Sequence, residues 1–220
     1  MKALLRQWWR VAYAADKRFV VDVMRVREAE GRLFGAAADA GASNKSRVRI
    51  RLDRWDVGRL KSWEPTGSVW HPEAGPNGRK VGGDLYLGYG PLTPKEGRTA
   101  LKANAAIQAG ESAVLRIALA PEAPPEEAER IASAIALMNL YGTLGGRSRN
   151  GWGSFMLEPP DGSPAPSLSL DVRVLRSWRE ALALDWPHAI GKDQKGALIW
   201  QTEALRDWKA VMTRLAEIKI

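Results

Sequence analysis

Between residues 46 and 53 the chain alternates strictly, with Arg47, Arg49 and Arg51 interleaved among Val48, Ile50 and Leu52. Successive side chains of a strand point to opposite faces, so this segment is a strand with one apolar and one basic face. Three arginines on one side repel one another. Either a neighbouring strand supplies Asp or Glu opposite them, or an anion lies across them.

The segments around that strand set the architecture. Residues 2–15 read as a helix, with Leu4, Leu5, Trp8, Val11, Ala12 and Ala15 on one arc. Lys2, Arg6, Arg10 and Tyr13 fall on the other side, and Trp9 sits at the border. The i, i+4, i+8 spacing lines up Lys2, Arg6 and Arg10 as a basic stripe, beside which Trp9 and Tyr13 could stack on bases; an ordinary solvated helix face has the same pattern. Residues 20–33 continue as a second helix and 36–44 as a loop. Residues 54–83, rich in Pro and Gly, form a long insertion. A short strand is expected over 84–89 and a buried strand over 114–119. Pro124-Pro125-Glu126-Glu127 opens a helix, because proline is tolerated in the first turn and carboxylates favour the positive end of the helix dipole. Ile131, Ala134, Ile135 and Met138 form its buried face, and Gly142 ends it. Residues 154–158 read as a strand.

The order helix, strand, insertion, strand, helix, strand supplies five of the six elements of a ferredoxin-like unit, β-α-β-β-α-β. The fold class is therefore α+β, ferredoxin-like and without the first strand. Its sheet carries helices on one face and leaves the arginine face open. Either another segment, best supplied by 84–110, takes the place of the missing strand, or the isolated chain is unstable and needs partner subunits. Residues 159–166 form a Pro/Gly/Ser/Asp linker. The expected domains are 1–158, then that linker, then a helical segment over 167–220 with helices at 172–184 and 203–218 joined by a Trp186-Pro187 turn.

Charge points the same way. Lys and Arg total 33 against 25 Asp and Glu, and residues 1–110 hold 20 basic against 11 acidic residues, so the whole excess lies in the first half. A polyanion is attracted there. There is no Cys, and His71 and His188 are the only histidines. That excludes disulfides, thiolate nucleophiles, thiolate zinc sites and iron–sulfur clusters, and argues against a histidine metal site. Neither a metal nor a cofactor is expected. No apolar run is long enough to span a bilayer, and Arg6 and Arg10 interrupt the would-be core of a signal peptide. The expected setting is cytoplasmic, with no membrane partner.

The strongest motif is the loop from Gly142 to Gly153, with five glycines in twelve residues plus Arg147 and Arg149. Glycines let a backbone approach a ligand closely and open its N–H groups as an anion-binding nest. Arginine forks add donors for phosphate. The loop is neither a Walker A loop nor a dinucleotide fingerprint, since no Gly-Lys-Ser/Thr follows and it joins a helix to a strand. A tight turn explains the glycines but not the two arginines. His71 and His188 read as structural or exposed.

The run Leu144-Gly145-Gly146-Arg147-Ser148-Arg149-Asn150-Gly151-Trp152-Gly153-Ser154-Phe155 resembles the glycine-rich loop of the RAMP superfamily of CRISPR effector subunits. Lys2-Ala3-Leu4-Leu5-Arg6-Gln7-Trp8-Trp9-Arg10 is similar to the first helix of the large two-domain subunit that caps the type III-B (Cmr) complex. Glu28-Ala29-Glu30-Gly31-Arg32-Leu33-Phe34-Gly35 and Ser46-Arg47-Val48-Arg49-Ile50 follow in that family's order. The resemblance covers about residues 1–158 with specific motifs, and more loosely the Trp186-Pro187 segment and beyond. Two departures are Ala3, where glycine is usual, and the absent first strand. The resemblance also implies a second ferredoxin-like domain, of which 167–220 would be only the start, so the chain is expected to be truncated at both ends, as a fragment, a misassigned start or a reduced relative. The resemblance implies a non-catalytic RNA-binding role in antiviral defence, with crRNA, target RNA and other RAMP subunits as partners. It implies that Lys2, Arg6, Arg10, Lys45, Arg47, Arg147 and Arg149 contact RNA together with Ser148, and that Gly145, Gly146, Gly151 and Gly153 shape the loop. The competing reading is a RAMP endoribonuclease that processes precursor crRNA without metal. That chemistry needs a base and an acid near a 2′-hydroxyl, for which His71 and Tyr13 are the candidates.

Overall fold

The computed structural model describes residues 1–39, 42–53, 58, 60, 62–102, 109–162, 172–183 and 188–220. In chain order the elements are α1 (Lys2–Asp16), α2 (Val23–Phe34), β1 (Ala36–Asp39), β2 (Ala42–Asn44), β3 (Val48–Leu52), β4 (Ser68–His71), β5 (Arg79–Gly82), α3 (Gly83–Gly88), β6 (Leu92–Lys95), β7 (Arg98–Leu101), β8 (Leu115–Leu119), α4 (Pro125–Tyr141), β9 (Leu175–Ser177), α5 (Trp178–Leu182), β10 (Ile190–Lys192) and α6 (Trp208–Lys219). This is a mixed α/β protein whose described sheets are all two-stranded pairs, antiparallel except β9–β10.

Five expectations change. Residues 36–44 are not only a loop: β1 and β2 lie there and pair antiparallel, Ala36 opposite Asn44. Residues 84–89 are not a strand, because Gly83, Asp84, Leu87 and Gly88 turn inward at helical spacing and form α3. Residues 154–158 alternate as a strand would, with Met156 72% exposed and Phe155 and Leu157 against the core. They form no ladder, however. Ser154 makes one isolated bridge, and the Leu157 N–H bonds to Asn139 Oδ1 at 2.7 Å. Residues 172–184 are not one helix but a 3-10 turn (Val172–Val174), then β9, then α5. The last helix starts at Trp208, later than 203, because the Asp207 carboxylate caps it by accepting the N–H groups of Lys209 and Ala210. Part of the 159–166 linker, the Trp186-Pro187 turn and residues 103–108 lie outside the described residues. No strand between Asp84 and Leu101 joins the β3–β8 sheet.

Residue contacts form two compact units. The first contains Met1–Asp53, Val114–Gly142 and Phe155–Trp200; the second contains Arg54–Ala113, Thr143–Ser154 and Gln201–Ile220. This grouping differs from the division at 159–166, because partners distant in sequence decide it.

In the first unit α1 packs on both α4 and α2. Leu5, Trp9, Leu33, Phe34, Val48, Ile131, Ala134 and Met138 form its core, closed by Ile50, Leu115, Ile117 and Leu119 from the sheet. Because α1 meets two helices, its buried arc is wider than one amphipathic stripe and takes in Trp9, which is 0% exposed. In the second unit Val69, Leu87, Met212 and Ala216 are buried together, with Val81, Tyr86, Trp152 and Leu215 around them.

Candidate nucleic-acid interface

The arginine strand meets a partner in register. Strands β3 and β8 pair antiparallel, Val48 opposite Leu119, Ile50 opposite Ile117 and Leu52 opposite Leu115 on the core side. The other face carries Arg49 opposite Ala118 and Arg51 directly opposite Arg116, all exposed. Arg47 extends the row, held by backbone bonds from its N–H to Leu33 O and from Ala120 N–H to its own carbonyl, both 2.8 Å. The neighbouring strand therefore supplies a fourth arginine where a carboxylate was one of the two expectations. Among the described residues no ion pair engages Arg47, Arg49, Arg51 or Arg116. Asp53, just beyond the strand, turns Oδ1 to the Val114 N–H at 2.9 Å. Arginines across a strand pair stand about 5 Å apart at Cβ and repel, so an anionic ligand over this face relieves the repulsion.

The α1 stripe is placed differently. Glu30 on α2 is 3% exposed. Arg6 Nε donates to its Oε1 and Arg10 Nε to its Oε2, and Arg10 Nη2 adds a second bond to Oε1 at 2.9 Å. Lys2 Nζ donates to Ser46 Oγ at 2.7 Å, and that hydroxyl donates to Val48 O at the start of β3. Burial, and then the nearby Arg6 charge, lower the Lys2 pKa from 10.5. Lys45 is exposed. The base-stacking reading of Trp9 fails. Its ring lies in the core, edge-on to Phe34 at 5.7 Å, and its Nε1 donates to Glu127 at 3.1 Å. Tyr13 packs against Trp9 and lies under the Arg130 guanidinium. Arg6 and Arg10 also line a cavity of about 710 Å³ with Trp8 and His188. His188 is 7% exposed, and its burial, with the Arg10 charge, pushes its pKa below 6.5 against an opposing pull from Glu30.

In the second unit the glycine loop divides into a tip and a stem. At the stem the Leu144 N–H donates to Gly153 O at 2.9 Å, and a Cβ on Gly153 would lie 1.8 Å from Leu144 O. With φ of +74° and +81°, Gly153 and Gly151 are required by the turn itself. Asn150 anchors the stem: its Nδ2 donates to Leu87 O at 2.8 Å, and Lys219 Nζ donates to its Oδ1 at 2.6 Å. The tip is open. Nothing stands within 4 Å of where a Gly145 Cβ would be, and only Pro91 stands near Gly146. Arg147 and Arg149 are exposed and make no ion pair among the described residues, and Ser148 starts a 3-10 turn.

Arg147 is a non-glycine residue at φ 61°, a conformation that costs an L-residue about 1–2 kcal/mol. Arg147→Gly is therefore expected to leave thermal stability unchanged or raise it by up to ~1 kcal/mol. The same change should weaken binding of single-stranded RNA. A variant that loses stability yet binds RNA normally would show that the guanidinium serves the loop and not a ligand.

The alternation and the glycine spacing mark the β3 arginines and the loop in the sequence, whereas Arg116 is placed beside them only by the antiparallel register. Nothing local to α1 signals that Arg6 and Arg10 converge on one carboxylate. Among the described residues no group of three or more His, Asp or Glu is placed to hold a metal ion, and no helix is long and apolar enough to cross a membrane.

No curated protein and no solved structure matches the chain at a meaningful level. The family model of the RAMP superfamily does match, over residues 1–156, which takes in α1, the arginine strand, β8, α4 and the glycine loop. The chain belongs to the RAMP superfamily, a membership that points to a CRISPR-associated role in binding or processing RNA.

Proposed function

We propose that this chain is a non-catalytic RNA-binding subunit of a type III-B CRISPR interference complex. In this reading it contacts the crRNA 3′ region and guide–target RNA beside other RAMP subunits, in the cytoplasm, as part of antiviral defence. The observation that carries the RNA-binding reading is the row of exposed Arg49, Arg51 and Arg116 with half-buried Arg47 beside them, without a carboxylate partner among the described residues. Phosphate contacts of this kind position a nucleic acid without reading its sequence. The exposed tip of the glycine loop, with Arg147 and Arg149, supports the same reading from the second unit.

The test is a salt titration of RNA affinity. For single strands log affinity falls by about 0.7 per log salt for each phosphate neutralised. The triple variant Arg49→Ala, Arg51→Ala, Arg116→Ala should flatten the slope by roughly 2, with similar losses across RNA sequences. An unchanged slope would sink the role given to this face. Repeat-containing RNA incubated with the protein, in EDTA or in Mg²⁺, should remain intact. Site-specific cleavage lost in His71→Ala would promote the endoribonuclease reading. The His71 ring accepts the Glu73 N–H at Nδ1 and stands edge-on to Tyr86 at 5.0 Å, a placement that gives it a structural use.

A further inference from the structure

The hairpin of β4 and β5, within the long insertion, has one buried and one open face. Val69 pairs with Val81 on the inner side, where Val69 is 4% exposed. On the outer side Trp70 pairs directly with Lys80, and Ser68 with Gly82. Trp70 is 56% exposed, an unusual state for the largest apolar side chain.

The ring is nevertheless seated. Gly78, at φ +71°, lies diagonally across the hairpin, and a Cβ there would come within 2.7 Å of Trp70 Cζ2 and 3.1 Å of Cε2. The indole thus rests against a glycine backbone that no other residue could offer at that distance. Its setting is polar and cationic. Ser68, Gly78, Lys80 and Gly82 share its face of the hairpin, and Arg79, one residue before Lys80, lies on the other face of the same strand. A protein-docking surface has an apolar centre with several large side chains and few charges. A single supported aromatic beside a lysine instead matches the way proteins hold an unstacked base while a cation meets the adjoining phosphate.

We infer that Trp70 is a base-stacking residue for single-stranded RNA, with Lys80 meeting the neighbouring phosphate. The inference rests on the RNA-binding reading above and assigns to the insertion a contact that the arginine face does not make. Stacking needs a free base face, and in duplex RNA every interior base face is covered by its neighbours, so a long duplex gives the ring only its two end pairs. It is also not ionic, so its loss lowers affinity by the same factor at every salt concentration.

The experiment uses the 220-residue chain, a single-stranded RNA and a long duplex of the same sequence, titrated across a salt series. Trp70→Ala should weaken single-strand binding by about 5- to 100-fold with an unchanged salt slope, and should leave duplex binding as it was. Trp70→Phe should restore most of the affinity, and thermal melts should show both variants folded. If the parent chain binds the single strand and Trp70→Ala binds it equally well, the inference is overturned while the RNA reading stands. Equal losses on single strand and duplex also overturn it, as does unchanged RNA binding with lost association to another protein subunit. A parent chain that binds neither RNA overturns both readings.

Discussion

Trp9→Ala is expected to destabilise the protein by about 3–5 kcal/mol. The side chain is 0% exposed, lies edge-on to Phe34 and beside Tyr13, and packs among residues of α1, α2, α4 and β3. Truncation removes the transfer energy of an indole and leaves a cavity that three helices must close around. Trp9→Phe keeps an aromatic ring but drops the Nε1 bond to Glu127, and should cost less, about 1–2 kcal/mol. For a chain of this length the alanine variant corresponds to a Tm fall of roughly 6–20 °C. Thermal or urea unfolding checks it. A small stability loss paired with a large loss of RNA affinity would reverse the assignment of Trp9 to the core.

The second expected result concerns Glu30. Removing one member of a buried ion pair costs about 3–5 kcal/mol. Here the stranded groups are Arg6 and Arg10, whose side chains are 40% and 20% exposed, so water takes up part of the loss. Glu30→Ala should therefore cost about 2–4 kcal/mol. The contribution depends on pH. Burial works to raise the Glu30 carboxyl, but the hydrogen bonds and charges of Arg10 and Arg6 outweigh it and hold the pKa below 4.5. A carboxylate with a depressed folded pKa stabilises fully above its unfolded pKa and loses that contribution as pH falls through the folded value. The stability gap between the parent and Glu30→Gln should be flat at neutral pH and shrink as pH drops below 4.5. A gap that widens on acidification would mean that the arginines are not what holds the carboxylate.

Local pattern alone determined several elements. The alternation of residues 46–53 produced β3 because a period of two admits one backbone form. The Pro-Pro-Glu-Glu start and the Ile131–Met138 spacing produced α4 because proline and carboxylates suit a first turn and nothing else there competes. The separation of the glycine loop from nucleotide-binding motifs was likewise readable, since it depends on which residues follow which. So was the +8 charge, and with it attraction to a polyanion.

Partnership was decided by the tertiary structure. Residues 154–158 and 84–89 have patterns compatible with a strand, but a strand exists only where a second backbone lies alongside, and no local signal says whether one does. Trp9 and the Lys2-Arg6-Arg10 stripe looked like one exposed face because a single helix shows only its own periodicity. When α1 gained α2 and α4 as neighbours, the border residue went to the core and two arginines closed on Glu30. Arg116 became part of the candidate site only through register, since pairing with Ile50 and Val48 fixed which side of β8 faces out. Trp70 became a seated ring only because β5 brought Gly78 across to it. In each case the sequence determined what a segment could be, and the choice among those forms came from a partner on another element, from eight positions away for Trp70 to more than sixty for Arg116, through backbone pairing, burial of apolar area and satisfaction of buried charge.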